Sequence, residues 1–140
     1  MSAPTPRPGI LEIAPYQGGK SSANSTQRVI KLSSNEGALG PSPKAMEALR
    51  NTADRLHRYP DGGCDLLRKK LAEKYDLEMD QLVCGAGSDE LLTLLIRAYA
   101  GPGDEVLYSQ HGFLMYPITA KGVGAVPVAA AETNMTTSVD

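Results

Sequence analysis

Apolar positions along this chain change texture three times. From residue 1 to 27 they are scattered among Pro, Ser, Gly and Thr, which predicts an arm rather than a packed element. Within that arm ILEIAPY (10–16) is apolar enough to dock on a surface, though the sequence does not say which. RVIKL (28–32) predicts a short strand and SSNEGALGPSP (33–43) a loop. Ser42 followed by Pro43 reads as a helix start: the serine oxygen can accept from the free amides, and proline fits the first helical position. Ala45, Met46 and Leu49 then form one apolar face. RYPDGG (58–63) interrupts the pattern, and CDLLRKKLAEKY (64–75) predicts a second helix with Leu67, Leu71 and Tyr75 on one face.

Beyond residue 80 short apolar runs alternate with longer ones. QLVCGAG (81–87) predicts a strand ending in glycines, and SDELLTLLIRAYA (88–100) a helix. GPGD is a stop and turn, EVLYS (105–109) a strand, FLMYPITAKG (113–122) a helix and AVPVAAA (125–131) a strand. Strands alternating with helices through short connections predict a parallel, doubly wound α/β sheet. The 88–100 helix is apolar on nearly every side except at Thr93 and Arg97, so it is expected between the sheet and a further layer. No internal repeat is evident.

Composition narrows the function classes. Of the 140 residues 41% are hydrophobic and 21% charged, as in ordinary globular domains, but only 5% are aromatic, with no Trp and a single Phe. A core must be built from Leu, Val, Ile, Met and Ala. The net charge of −2 leaves no basic surplus for a phosphodiester backbone, so nucleic acid is not expected as a partner. Two cysteines, Cys64 and Cys84, supply neither a disulfide framework nor a four-ligand metal site. They suit a reducing compartment. No apolar run is long enough for a signal peptide or a membrane span, so the expectation is a soluble cytoplasmic protein with no membrane partner.

CGAGSDELL (84–92) carries the clearest chemistry. A strand, a glycine turn and a helix start present free backbone N–H groups and the positive end of a helix dipole, which together bind phosphate without lysine or arginine. Gly85 and Gly87 remove Cβ atoms where backbone must approach an anion. Ser88 can cap the helix or donate its hydroxyl. A P-loop is excluded because no lysine lies between Lys74 and Lys121. A dinucleotide fingerprint is excluded because Glu90 stands where Gly or Ala is needed, and because Glu105 begins the next strand rather than ending it. A plain tight turn capped by Ser88 remains the alternative.

Taken with its neighbours, this stretch resembles the cofactor-phosphate turn of fold-type-I pyridoxal-phosphate aminotransferases, and among them the histidinol-phosphate aminotransferases. APYQGGK (14–20) resembles their Pro-Tyr arm, KLSSNEGALGPSP (31–43) their Asn-Glu loop, and HRYPDGGCDLLRKKLA (57–72) their Arg-Tyr-Pro segment. VCGAGSDELLTLLIRAY (83–99) is similar to the phosphate turn and HGFLMY (111–116) to an aromatic stretch that some members carry. Each motif is weak alone, but five in family order, across about residues 7 to 140, are specific.

The resemblance implies the cofactor pyridoxal 5'-phosphate, its phosphate on Gly87, Ser88 and Asp89 and its ring stacked on Phe113. It implies that Tyr59 reaches the cofactor phosphate of a neighbouring subunit in a homodimer. Tyr16 would touch the substrate phosphate, and Asn35 with Glu36 would line the substrate mouth. Plainer readings stand beside these: Phe113 as a core aromatic, Tyr59 as an exposed turn residue, the other three as packing and loop residues. His57 and His111 are expected as solvated loop histidines and RKK (68–70) as a wet helix face, with no metal site.

The implied fold is an incomplete fold-type-I architecture. Residues 1–34 would be arm and first strand, 35–76 part of the small domain, and 77–140 the start of the large domain. The implied reaction takes L-histidinol phosphate and 2-oxoglutarate to imidazole acetol phosphate and L-glutamate, in histidine biosynthesis. A threonine-phosphate decarboxylase-like or aromatic aminotransferase is similar in this region, and a non-catalytic truncated product that only pairs with a full-length subunit is the alternative reading. Transamination needs a Schiff-base lysine, and none of Lys20, Lys31, Lys44, Lys69, Lys70, Lys74 and Lys121 follows a buried strand. The chain is therefore expected to match the first two-fifths of such an enzyme and to be inactive alone.

Overall fold

A computed structural model describes residues 4–17, 34–37 and 39–138. The strand expected at 28–32, with Lys20 and Lys31, lies outside them. The chain divides into two compact units, one of Met1–Tyr16 with Cys64–Asp140 and the other of Gln17–Gly63.

The smaller unit is organised by helix α1, Pro43–Arg50. Its start follows the sequence expectation: Ser42 is extended, its side chain accepts from Ala45 N at 3.2 Å, and Pro43 occupies the first turn. The apolar face is covered only at Met46, and Leu49 is exposed. A 3₁₀ turn, Ala53–Arg55, follows.

The larger unit begins with the arm, whose 3₁₀ turn Ile10–Glu12 is anchored from both sides. Arg7 donates to Gly122 O at 2.7 Å, and Glu12 lies 3.6 Å from the Lys121 ammonium. The surface on which the arm docks is thus the last turn of a later helix. Helix α2, Asp65–Tyr75, enters from Cys64 in the left-handed region (φ 50°). Its half-covered positions include Arg68, Leu71 and Ala72, whereas Leu67 and Tyr75 of the expected face are exposed. Arg68 leaves the wet face assigned to it and donates to Met79 O, across to the 3₁₀ turn Met79–Gln81.

Residues 82–85 are not the strand that QLVCGAG predicts. Leu82 is extended, but among the described residues no strand pairs alongside it, and a strand is defined by its ladder partner. Helix α3, Ser88–Tyr99, follows. Asp104 then closes the turn: its N–H donates to Gly101 O at 3.1 Å and its carboxylate accepts from Gly101 N at 2.9 Å. Strand β1, Glu105–Ser109, leads through helix α4, Met115–Val123, to strand β2, Val126–Ala130. β1 and β2 pair in parallel, from Glu105 opposite Val126 to Ser109 opposite Ala130. Pro117 sits in the first turn of α4, where its missing N–H costs no helical bond. Gly124 ends that helix in the left-handed region (φ 87°), its position close against Pro102.

The parallel β-α-β unit agrees with the α/β expectation. Two short strands that were not foreseen follow it: β3, Glu132–Thr133, and β4, Thr136–Thr137, form a hairpin around Asn134 and Met135, both at positive φ.

The core sits where α4 packs on α3 and on both parallel strands, at Ile96, Thr119, Ala120 and Ala125. Burial of α3 is a clear departure from expectation. Ile96 is buried, but Leu94, Leu95 and Tyr99 are 49%, 58% and 82% exposed. A helix that is apolar all round needs cover on more than one side, and α4 supplies one.

Candidate functional site

The glycine turn at 84–88 is built from its own backbone. Gly87 N donates to Gly85 O at 2.9 Å, and Gly87 stands at φ 81°, ψ −179°, a region closed to residues with a Cβ. Gly87, not Ser88, is the residue flanking the helix, so Ser88 is the first helical residue and does not cap it. The helix start has no side-chain cap at all. By helix geometry the N–H groups of Ser88, Asp89 and Glu90 have no partner within α3. They are the donors that an anion would take.

One carboxylate already belongs to this turn. Glu90 reaches back from the third helical position and accepts the Ala86 N–H at 2.6 Å. The geometry is close to half of a capping box, displaced one residue outward. Gly85 is required by it: a Cβ there would lie 2.8 Å from Glu90 Oε2 and 3.1 Å from Leu91 Cδ2. The glutamate that excluded a dinucleotide fingerprint is thus a brace for the turn. Gly87, by contrast, has open space where its Cβ would stand.

Phe113 follows the end of β1 and is 41% exposed. Its ring meets Tyr16 edge-on, with centroids 6.5 Å apart, and Tyr116 edge-on at 6.3 Å. Tyr116 in turn lies 6.5 Å from Tyr108. The structure therefore brings together two residues that the sequence assigned to one site, Tyr16 of the arm and Phe113 of the β1–α4 connection. Beside them Tyr16, Ile13, Leu114, Pro117 and Ile118 line a mainly apolar cavity of about 240 Å³. Tyr59, Asn35 and Glu36 lie in the smaller unit, all exposed, Tyr59 completely. His57 is exposed, as expected of a solvated loop histidine.

His111 is not merely solvated. Its Nδ1 lies 2.7 Å from Glu132 Oε2, and its backbone N–H donates to Glu132 Oε1 at 3.1 Å. The Ser109 hydroxyl also donates to Glu132, and lies 3.0 Å from the Thr137 hydroxyl. With the Glu132 side chain only 4% exposed, these donors hold its carboxyl at about 2, against 4.5 ordinarily. The Ser109 hydroxyl contributes most, then the His111 ring and the His111 N–H. Nothing in the sequence pointed to this glutamate: 21 residues separate it from His111, and the hairpin that brings it back is two residues per strand.

Lys70 pairs with Glu73 at 2.6 Å, Lys121 with Glu12, and Lys74 lies over the adjacent Tyr75 ring. Among the described residues no group of three or more His, Cys, Asp and Glu is placed to hold a metal ion, and no helix is long and apolar enough to cross a membrane.

Residues 27–139 match the family model for aminotransferase class I and II. The chain is 64% identical over 140 residues to the histidinol-phosphate aminotransferase of Paramagnetospirillum magneticum and 58% identical to that of Rhodospirillum centenum. All of this chain is matched in both cases, but only 39% of each relative. It spans about two-fifths of the length of these curated relatives. The crystal structure of histidinol-phosphate aminotransferase from Sinorhizobium meliloti in complex with pyridoxal-5'-phosphate superimposes with a TM-score of 0.69 at 26% identity. That match covers 71% of this chain and 27% of the other.

Proposed function

The chain belongs to the aminotransferase class I and II family, and on that premise we propose that it is the phosphate-holding portion of a cytoplasmic pyridoxal-phosphate aminotransferase. The substrates in this reading are L-histidinol phosphate and 2-oxoglutarate, as the names of relatives matched along the whole chain suggest. The observation that carries it is the start of α3, where the Ser88 and Asp89 amides follow an open Gly87 and no side chain caps them. A phosphate dianion fits such a start on both hydrogen bonding and dipole.

When bound, pyridoxal phosphate supplies an electron sink for charge developing on the amino substrate. The residues of this chain bind and orient. Gly87, Ser88 and Asp89 hold the phosphate, and Phe113 presents a ring to the cofactor ring. Tyr16, which meets Phe113 edge-on, contacts the phosphate of the substrate in this reading. Asn35 and Glu36 line the substrate mouth, and Tyr59 reaches the cofactor phosphate of a second subunit in a homodimer. Residues 35–76 are small domain in this reading, and 77–140 large domain. The lysine that takes the cofactor aldehyde, and the acid that faces its ring nitrogen, come from a part of the enzyme outside these 140 residues.

Binding of pyridoxal phosphate and of pyridoxal to the purified chain tests this reading. Binding should depend on the phosphate and be competed by inorganic phosphate, without transaminase turnover. Equal binding of both compounds, or turnover by the 140-residue chain, would overturn it.

A further inference from the structure

We propose that Glu132 is a positioning residue for Phe113, holding the turn at 109–112 so that the ring keeps its place against Tyr16 and Tyr116. The inference rests on the reading of Phe113 as the residue that faces the cofactor ring. Phe113 is 41% exposed, so its own packing fixes it weakly. Its place is set by the backbone that delivers it.

One carboxylate grips that segment at two residues, Ser109 through its hydroxyl and His111 through its backbone N–H and its ring. Glu132 Oε1 accepts the His111 N–H at 3.1 Å and also the Ser109 hydroxyl, while Oε2 faces His111 Nδ1 at 2.7 Å. Every bond goes to the segment between the end of β1 and Phe113. The main chain closes the same turn, with Gly112 N donating to Ser109 O at 2.7 Å and Gln110 N to Ala130 O at 3.0 Å. Gly112 leaves no slack: a Cβ there would lie 2.8 Å from Ser109 O and 3.3 Å from the Tyr116 ring.

A carboxylate left 4% exposed is costly unless its oxygens are occupied, and these are. The hairpin that carries it pairs only Glu132 with Thr137 and Thr133 with Thr136. So short a hairpin is not stable by itself, and its grip on the turn is mutual, with the Thr137 hydroxyl beside that of Ser109. His111 is the only ionisable group acting on the carboxylate among the described residues.

Glu132→Gln keeps length and an acceptor oxygen but cannot carry the charge. By NMR on the 140-residue chain, cross-peaks from the Phe113 ring to Tyr16 and Tyr116 should weaken or move, with the Tyr108–Tyr116 pair retained as a control on the fold. Pyridoxal phosphate affinity should fall about tenfold. Should E132Q not fold, an acid titration of the wild-type chain replaces it, the Phe113 cross-peaks changing before the Tyr108–Tyr116 pair. Phe113 cross-peaks indifferent to E132Q, or moving only with the control pair on acidification, would overturn the inference. A wild-type chain that binds no pyridoxal phosphate removes the cofactor reading instead, and the ring contacts still decide the role of Glu132.

Discussion

The ring of Tyr16 stands edge-on against that of Phe113, at an interplanar angle of 81°, although one comes from the arm and the other from beyond β1. Edge-to-face pairs contribute about 0.5–1.5 kcal/mol beyond their area, and both rings here are partly wet. A double-mutant cycle with Tyr16→Leu and Phe113→Leu should give a coupling of about 0.5 kcal/mol in urea denaturation. Strict additivity would show that the arm does not hold this place in solution.

Two glycines should respond differently to alanine. At Gly85 the new Cβ meets the tip of the Glu90 side chain, which can swing away, so the loss should be about 1 kcal/mol. At Gly112 it meets the fixed carbonyl of Ser109, and the loss should be larger, about 2–3 kcal/mol. Adding Glu90→Ala to Gly85→Ala should make the two changes less than additive. Chemical denaturation of the two glycine variants, of Glu90→Ala and of the Gly85→Ala/Glu90→Ala pair checks the order and the coupling.

Acid should weaken the hairpin before the rest of the larger unit. Glu132 titrates at about 2 when folded, below the 4.5 of an ordinary glutamate. The unfolded chain therefore binds more protons in that interval, and stability rises with pH. The contribution is complete above pH about 4.5 and is lost as pH falls towards 2. Melting temperatures of wild type and Glu132→Gln should converge as pH drops from 7 to 3. Parallel curves would refute the assignment.

Ser42→Ala should remove about 1 kcal/mol from α1, because Ala45 N loses its acceptor and the helix has little packing to compensate. Ser42→Gly should cost less. Far-ultraviolet circular dichroism of a peptide spanning residues 38–52 would measure both.

What the sequence made legible follows the range of the interactions. The start of α1 is set by Ser42 and Pro43, and the strands Glu105–Ser109 and Val126–Ala130 show in the sequence as short apolar runs bounded by turn residues. The glycine turn into α3 was readable from its residues, but not the part played by Glu90, which reads locally as one more acid in a first helical turn. The ladder that QLVCGAG would need requires a second strand, and composition alone does not show that none lies beside it among the described residues. His111 looked solitary because its partner returns on a hairpin whose turn, Asn134-Met135, is not a standard sequence signal. Leu67 and Tyr75 were expected under cover because spacing reports a face of a helix, not whether anything lies against it.

The two-stranded parallel sheet has no inner strand. Leu107 on β1 and Val126 on β2 are 70% and 53% exposed, and among the described residues each strand leaves one row of N–H and C=O groups without a ladder. Such rows are templates for strand addition, and parallel sheets are ordinarily covered on both faces. In concentrated solution this pair of strands is therefore where chains should begin to aggregate, and where a single charged substitution, such as Leu107→Lys, should keep them apart.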